Sequence, residues 1–348
     1  MRLLFDYAEM RDADDANDKR IDLPATLRED LDAAGRDAFD VVAFSHLDND
    51  HICGSSDFFH LDHAKKYQGG DRIKITELWV PAAVIVEDGC EDEAKIIQAE
   101  ARYRLKAGAG IRVFSRPEKL ESWLQKEGLT LAERSSLITD AGQLVPGFTQ
   151  AEHGVEFFVH SPFASRTDEG ELLDRNDDSL VLQAAFLSGG RETKLLLTAD
   201  VTHEVLAEIV RVTKYKKNEA RLQWDVVNLP HHCSYLSLGP DKGKEVTEPV
   251  PNVKWLYENQ GQTGGLLVST SCPIPAGESD QPPHRQAATY YKRRATALGG
   301  EFKVTMEHPK QSAPEVLVIR VDASKATIEK RILGGAAIIV NQPAPRAG

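Results

Sequence analysis

The 348-residue chain is short of cysteine, of methionine and of positive charge, and each shortage removes a class of protein. Its four cysteines (Cys53, Cys90, Cys233, Cys272) show no Cys-x-x-Cys spacing. That pattern excludes a zinc finger and predicts reduced thiols without a disulfide framework, as in a cytoplasmic protein. The formal net charge is −12, with 42 Lys and Arg against 54 Asp and Glu. A surface of that sign does not coat long nucleic acid. No run approaches the roughly 18–20 apolar residues of a membrane span, so no membrane partner is expected. The opening Met1-Arg-Leu-Leu-Phe-Asp6 is too short and too soon acidic for a signal peptide and reads as a first strand.

What the chain does have is concentrated. Residues 45–51 read Ser-His-Leu-Asp-Asn-Asp-His, between the β-prone run Val41–Phe44 and the turn Cys53-Gly-Ser55. His46, Asp48, Asp50 and His51 each offer a lone pair to a divalent cation. His46 and Asp48, two apart, point the same way in an extended segment. Asp50 and His51 follow at the turn and address a second ion. Imidazole with carboxylate suits zinc, manganese or iron, and a carboxylate-rich set leans towards the harder ions. The plain alternative, a solvated polar loop, does not account for two histidines and two aspartates within six residues.

His-x-Asp-x-Asp-His resembles the metal-binding signature of the metallo-β-lactamase fold, in the variant found in hydrolase domains of ComEC-type DNA-uptake proteins. Three later segments fit that pattern in order: Asn176-Asp-Asp-Ser-Leu-Val-Leu182, Lys194-Leu-Leu-Leu-Thr-Ala-Asp200 and Val226-Val-Asn-Leu-Pro-His-His-Cys-Ser234. A looser match spans Ser269–His284, so the resemblance covers most of residues 1 to about 320. It implies an α/β fold, an αββα four-layer sandwich, filling one domain over 1–333. The mostly helical stretch 85–150 reads as an insertion beside the site, and 334–348 as a C-terminal tail.

The resemblance also implies a ligand set. His46 and Asp48 would hold one ion, Asp50 and His51 the other, and Asp200 would bridge them. Of His231 and His232, His231 is preferred as a ligand and His232 faces substrate. The third motif departs from the family, because Asn176, Asp177 or Asp178 stands where a histidine is usual. Cys233 stands where the family has Gly. His284, in Gln281-Pro-Pro-His-Arg285, would contact the leaving group or scissile phosphate; it reads equally as an ordinary helix-start residue. His160 lies in a strand pattern and reads as core.

The reaction implied is hydrolysis, with two divalent ions, manganese favoured over zinc, activating a water. Asp50, His232 and His284 are the catalytic candidates. The ComEC-like flavour points to a phosphodiesterase or nuclease acting on nucleic acid. Lys292-Arg-Arg294 after two tyrosines, and Lys214-Tyr-Lys-Lys217, would guide a phosphate chain and stack bases, unless both are solvated helix faces. Two other readings stand: a hydrolase of a small molecule (cyclic nucleotide, phosphodiester or lactone), which suits the acidic charge, and a non-catalytic subunit of a larger assembly.

Overall fold

The structure, a computed structural model, describes residues 1–169 and 174–329. Its strands form two main sheets. The first, order β1-β2-β3-β4-β5, is parallel throughout: β1 Leu3–Phe5, β2 Ala38–Ala43, β3 Lys74–Pro81, β4 Ile111–Phe114 and β5 Ile138–Thr139. The second has order β11-β10-β9-β8-β7-β6. In it β6 Val155–Ser161, β7 Val181–Ser188 and β8 Arg191–Leu197 form an antiparallel meander. From β8 onward, β9 Trp224–Asn228, β10 Gly261–Ser269 and β11 Glu301–Val304 run parallel. Two short hairpins follow, β12 Pro309–Lys310 with β13 Ala313–Pro314, and β14 Ile319–Val321 with β15 Ala326–Ile328.

Strand alternation sorts the apolar residues into separate cores. On β2, Val42 joins a core with Leu31, Ile97 and Leu105 from the flanking helices, whereas Val41 and Ala43 face the second sheet. On β3, Leu78 and Val80 take the helix side and Trp79 the sheet side. The second sheet repeats the pattern: Leu182 and Ala184 meet Trp79, while Val181 packs with the outer helices. Those outer helices are His203–Tyr215, Pro251–Asn259 and Arg285–Leu298. Farther along the second sheet, Val226, Leu266 and Val268 are covered by Ile319 and Ile328 of the last hairpin. The inner face is therefore shared between the first sheet and the C-terminal segment.

Local signals set the helix ends. Asp22 accepts from the Ala25 N–H at 2.9 Å and Pro24 follows it, opening the Leu23–Ala33 helix. Gly108 and Gly299 end the Asp92–Ala107 and Arg285–Leu298 helices in the left-handed conformation.

One expectation changes. The stretch 85–150 carries the Asp92–Ala107 and Glu118–Lys126 helices but also β4 and β5, which continue the first sheet. The short Ser55–Phe58 helix ends where Phe59 turns extended to bridge Ile73. The tail 334–348 lies outside the described residues. Among the described residues no helix is long and apolar enough to cross a membrane.

Trp79 is fully buried and meets the rings of Phe5, Phe114, Phe148 and Phe157 edge-on. Trp79→Ala should therefore cost about 3–5 kcal/mol of unfolding free energy. Urea denaturation checks this, and a loss below about 1 kcal/mol would mean the sheets do not share this core.

Candidate metal centre

Parallel pairing carries the carboxyl ends of β1, β2, β8, β9 and β10 to where side chains from distant segments can meet, the usual place for a ligand in such sheets. β1 gives way to Asp6 (φ 58°), whose backbone N–H donates to Ala43 O at 2.8 Å. Asp6 in turn accepts from the Ser45 N–H at 2.7 Å and the Ser45 hydroxyl at 2.8 Å. Past β2, a short helix, Asn49–Ile52, presents Asp50 and His51. The third contributor, Asp200, follows β8 through Ala199 (φ 46°). The fourth, His232, follows β9 in a run of left-handed residues: His231, His232 and Cys233 at φ 48°, 51° and 69°. Non-glycine residues hold such angles only where the surroundings enforce them. Here Ala199 O accepts from the His231 N–H at 3.0 Å, and Cys233 is completely buried among the outer-helix core.

Asp50, His51, Asp200 and His232 bring one ligand atom each to within 4.8 Å of one another. His51 Nε2 lies 3.3 Å from Asp200 Oδ1 and 3.3 Å from His232 Nε2. His232 Nε2 lies 3.2 Å from both Asp200 Oδ2 and Asp50 Oδ2. Such separations are those of two ligands about 2.0–2.1 Å from one ion at a tetrahedral angle.

The ring tautomers agree with this. His232 Nδ1 sits 2.8 Å from the Thr270 carbonyl, which can only accept, so Nδ1 carries the proton. His51 Nδ1 sits 2.8 Å from Asp6 Oδ2 and donates likewise. Both rings thus turn an Nε2 lone pair to the cluster, the arrangement by which an outer carboxylate or carbonyl fixes a metal-ligating histidine.

The electrostatics favour positive charge. Burial disfavours the His51 imidazolium, yet Asp6 and Asp200 outweigh it and hold its pKa well above the ordinary histidine range. His232 is likewise opposed by burial but raised to about 10 by Asp200 and Asp50. Burial also opposes the Asp200 carboxylate, and hydrogen bonds from His232 and His51 hold it well below the usual range. A divalent ion placed here would compete with ring protons for the same lone pairs.

His46 and Asp48 lie beside this group and not within it, the His46 ring 4.1 Å from that of His51. His46 is buried, its Nδ1 3.0 Å from the Ser45 hydroxyl and its Nε2 without a hydrogen-bond partner. Asp48 is 3.6 Å from that Nε2, but its other oxygen pairs with Arg175 Nη1 at 3.0 Å. Arg175 also pairs with Glu87 at 2.6 Å and donates to Leu47 O at 2.9 Å. A guanidinium therefore neutralises Asp48, and His46 and Asp48 are not gathered with the four donors. His232, not the preferred His231, joins the cluster, since the left-handed turn sends successive side chains apart; His231 Nδ1 is buried without a partner.

The third-motif residues are otherwise engaged. Asp177 binds Arg166 at 3.0 Å and the Thr202 hydroxyl at 2.8 Å, and Asp178 accepts from the Thr167 hydroxyl at 2.6 Å. Asn176 is outside the cluster too. His284 is buried, its ring packed on Tyr235, and does not line the cavity described below. His160 is core, as expected, and its Nε2–H donates to the Arg221 carbonyl at 2.9 Å. On the Arg285–Leu298 helix, Tyr290 and Tyr291 are buried, so they present no face to a base. Lys292 lies over Phe302, Arg294 pairs with Glu258, and none of Lys292, Arg293 or Arg294 lines the cavity. Arg175 and Thr270 escaped sequence reasoning. Arg175 directly precedes the third motif, but no spacing marks it, and Thr270 acts through its backbone carbonyl.

The four donors lie in the wall of a cavity of about 920 Å³, bounded by Phe5 at the end of β1 and Tyr7 beyond it, by β8–β10, and by residues 305–319. No protein-family model matches the chain, and no curated protein matches it in sequence.

Asp178 offers a test of the third-motif assignment. Burial pushes its carboxyl up from 3.8 to about 6. The folded state thus holds this proton more tightly than the unfolded chain, so stability is lost as pH rises from about 4 through about 6. The loss is at most about 3 kcal/mol. Asp178→Asn should match the native protein near pH 4 and equal or exceed its stability near pH 7.5 by urea titration. A variant destabilised at neutral pH, with metal lost, would instead make Asp178 a ligand.

Proposed function

We propose that the protein is a metal-dependent hydrolase acting on a small molecule through an ester or phosphodiester bond. The observation that carries this reading is the convergence of two imidazole Nε2 atoms and two carboxylates, with both rings fixed by outer acceptors. Two nitrogens and two oxygens suit zinc or manganese. The case for manganese from sequence leaned on a carboxylate-rich site, and Asp48 is spoken for by Arg175. The unpartnered Nε2 of His46 and Nδ1 of His231 are donor atoms that a second ion would use. The two stacked sheets with helices outside support the finer αββα reading of metallo-β-lactamase type, and with it a hydrolytic rather than a purely structural role.

A divalent ion bound at such a site lowers the pKa of a coordinated water towards neutrality and screens charge on the reacting group. The chain supplies the rest. Asp6 and Ser45 hold His51 in one tautomer, and Thr270 does so for His232. Asp50 is the most exposed of the four donors and faces the cavity, where it can take a proton from an attacking water. A cavity of about 920 Å³ matches a small molecule. The nuclease reading loses one of its two stacking surfaces with the burial of Tyr290 and Tyr291; Tyr215 of the other is exposed but does not line the cavity.

The purified protein should bind a divalent ion, and Asp200→Ala should abolish both binding and hydrolysis of bis-p-nitrophenyl phosphate or a p-nitrophenyl ester while leaving the fold intact. Elemental analysis with circular dichroism checks the first part, and a folded variant that retains metal and turnover would refute the reading. Asp6→Asn leaves the four donors in place and alters the outer acceptor of His51, which also accepts from Ser45. It should weaken metal affinity by about 10–100-fold in a chelator competition. Unchanged affinity would make Asp6 a bystander.

A further inference from the structure

We propose that the cavity beside the donor set binds a hydrocarbon portion of the substrate, so that the molecule hydrolysed is an amphiphile. This rests on the hydrolase reading above. The floor of the cavity is the inner face of β8–β10, with Leu195, Leu197, Val226 and Val268 directed into it, and Leu317 and Ile319 stand opposite. Elsewhere on this sheet the same face is closed by the first sheet, as Leu182 and Ala184 are by Trp79. Here the cover is only partial: Leu317 and Ile319 pack on the Val226–Val268 patch, yet Leu195, Leu197, Leu317 and Ile319 themselves remain half-buried. Apolar surface lining a space of about 920 Å³ gains by burial against a hydrocarbon and not against a sugar–phosphate chain.

The charged groups around the cavity agree. Arg11 pairs with Asp22 at 3.3 Å, and Arg20 with Asp18 at 2.8 Å and with Met10 O at 2.8 Å. Glu9 and Glu315 also line it. The cations are satisfied internally and two carboxylates remain, so a polyanion finds no track. Asp50, His51, Asp200 and His232 occupy the same cavity. An occupant with its hydrocarbon on the leucines can therefore bring one polar, hydrolysable group to the donors.

The test uses two independent readouts on the metal-loaded full chain. Fluorescence of cis-parinaric acid reports binding of a hydrocarbon chain without any turnover. The native protein should bind it, Leu317→Glu should weaken binding by about tenfold or more, and Leu317→Met should stay within about twofold. Separately, kcat/KM for p-nitrophenyl esters should rise from acetate to octanoate, and Leu317→Glu should flatten that rise. Absence of parinaric acid binding, or equal binding by a folded Leu317→Glu, overturns the proposal. So does binding that appears only in a variant ending at residue 329, which would mean that the chain's own apolar residues 338–340 fill the space. A preference for polynucleotides over every ester overturns it too. Probe binding with no hydrolysis of any ester or diester would leave the hydrocarbon site standing and remove the hydrolase reading.

Discussion

Three carboxylates, Asp6, Asp50 and Asp200, crowd two imidazoles at the ends of parallel strands, and their mutual repulsion must be balanced by positive charge. Much of the local architecture follows from that requirement. Ser45 gives both its N–H and its hydroxyl to Asp6. The rings of His51 and His232 bridge what the backbone holds apart, and their pKa values rise because they stand among anions. Burying such a group without compensation is costly, so a fold keeps it where a cation recovers the loss. The positive φ angles at Ala199 and at His231–Cys233 are the backbone's share of the same arrangement.

The four gathered donors were all among the residues that the sequence singled out, because their signal is local and chemical. Two of the four donors lie in one seven-residue motif, and Asp200 and His232 each close an apolar strand. The fold was legible for a related reason: strands buried on both faces read as apolar runs, and the Asp92–Ala107 and Arg285–Leu298 helices carry clear start and stop residues. What could not be read is how neighbouring donors divide. Nothing in Pro-His-His-Cys says which histidine turns inward, since that depends on three left-handed residues in succession. Nothing in Arg175-Asn-Asp-Asp says that the arginine reaches back to Asp48, because their 127-residue separation is closed only by tertiary structure.

Burial also reversed one reading of composition. Aromatic and cationic residues interleaved along Tyr290–Arg294 suit base stacking on paper. On a helix with period 3.6, however, adjacent tyrosines followed by charges divide between core and solvent. Tyr290 and Tyr291 meet Tyr257 in the outer core, and the cations keep to the surface. The acidic net charge, read beside that division, suits a protein whose specificity lies inside a cavity.

The shared inner face of the second sheet has a consequence for the order of assembly. Every donor, and the carbonyl that orients His232, comes from residues 6–270, whereas one wall of the cavity comes from residues 305–319. A chain emerging from its N-terminus tends to fold in that order. The four donors would thus come together while their cavity is still open on one side, before the last hairpin closes over Val226 and Val268.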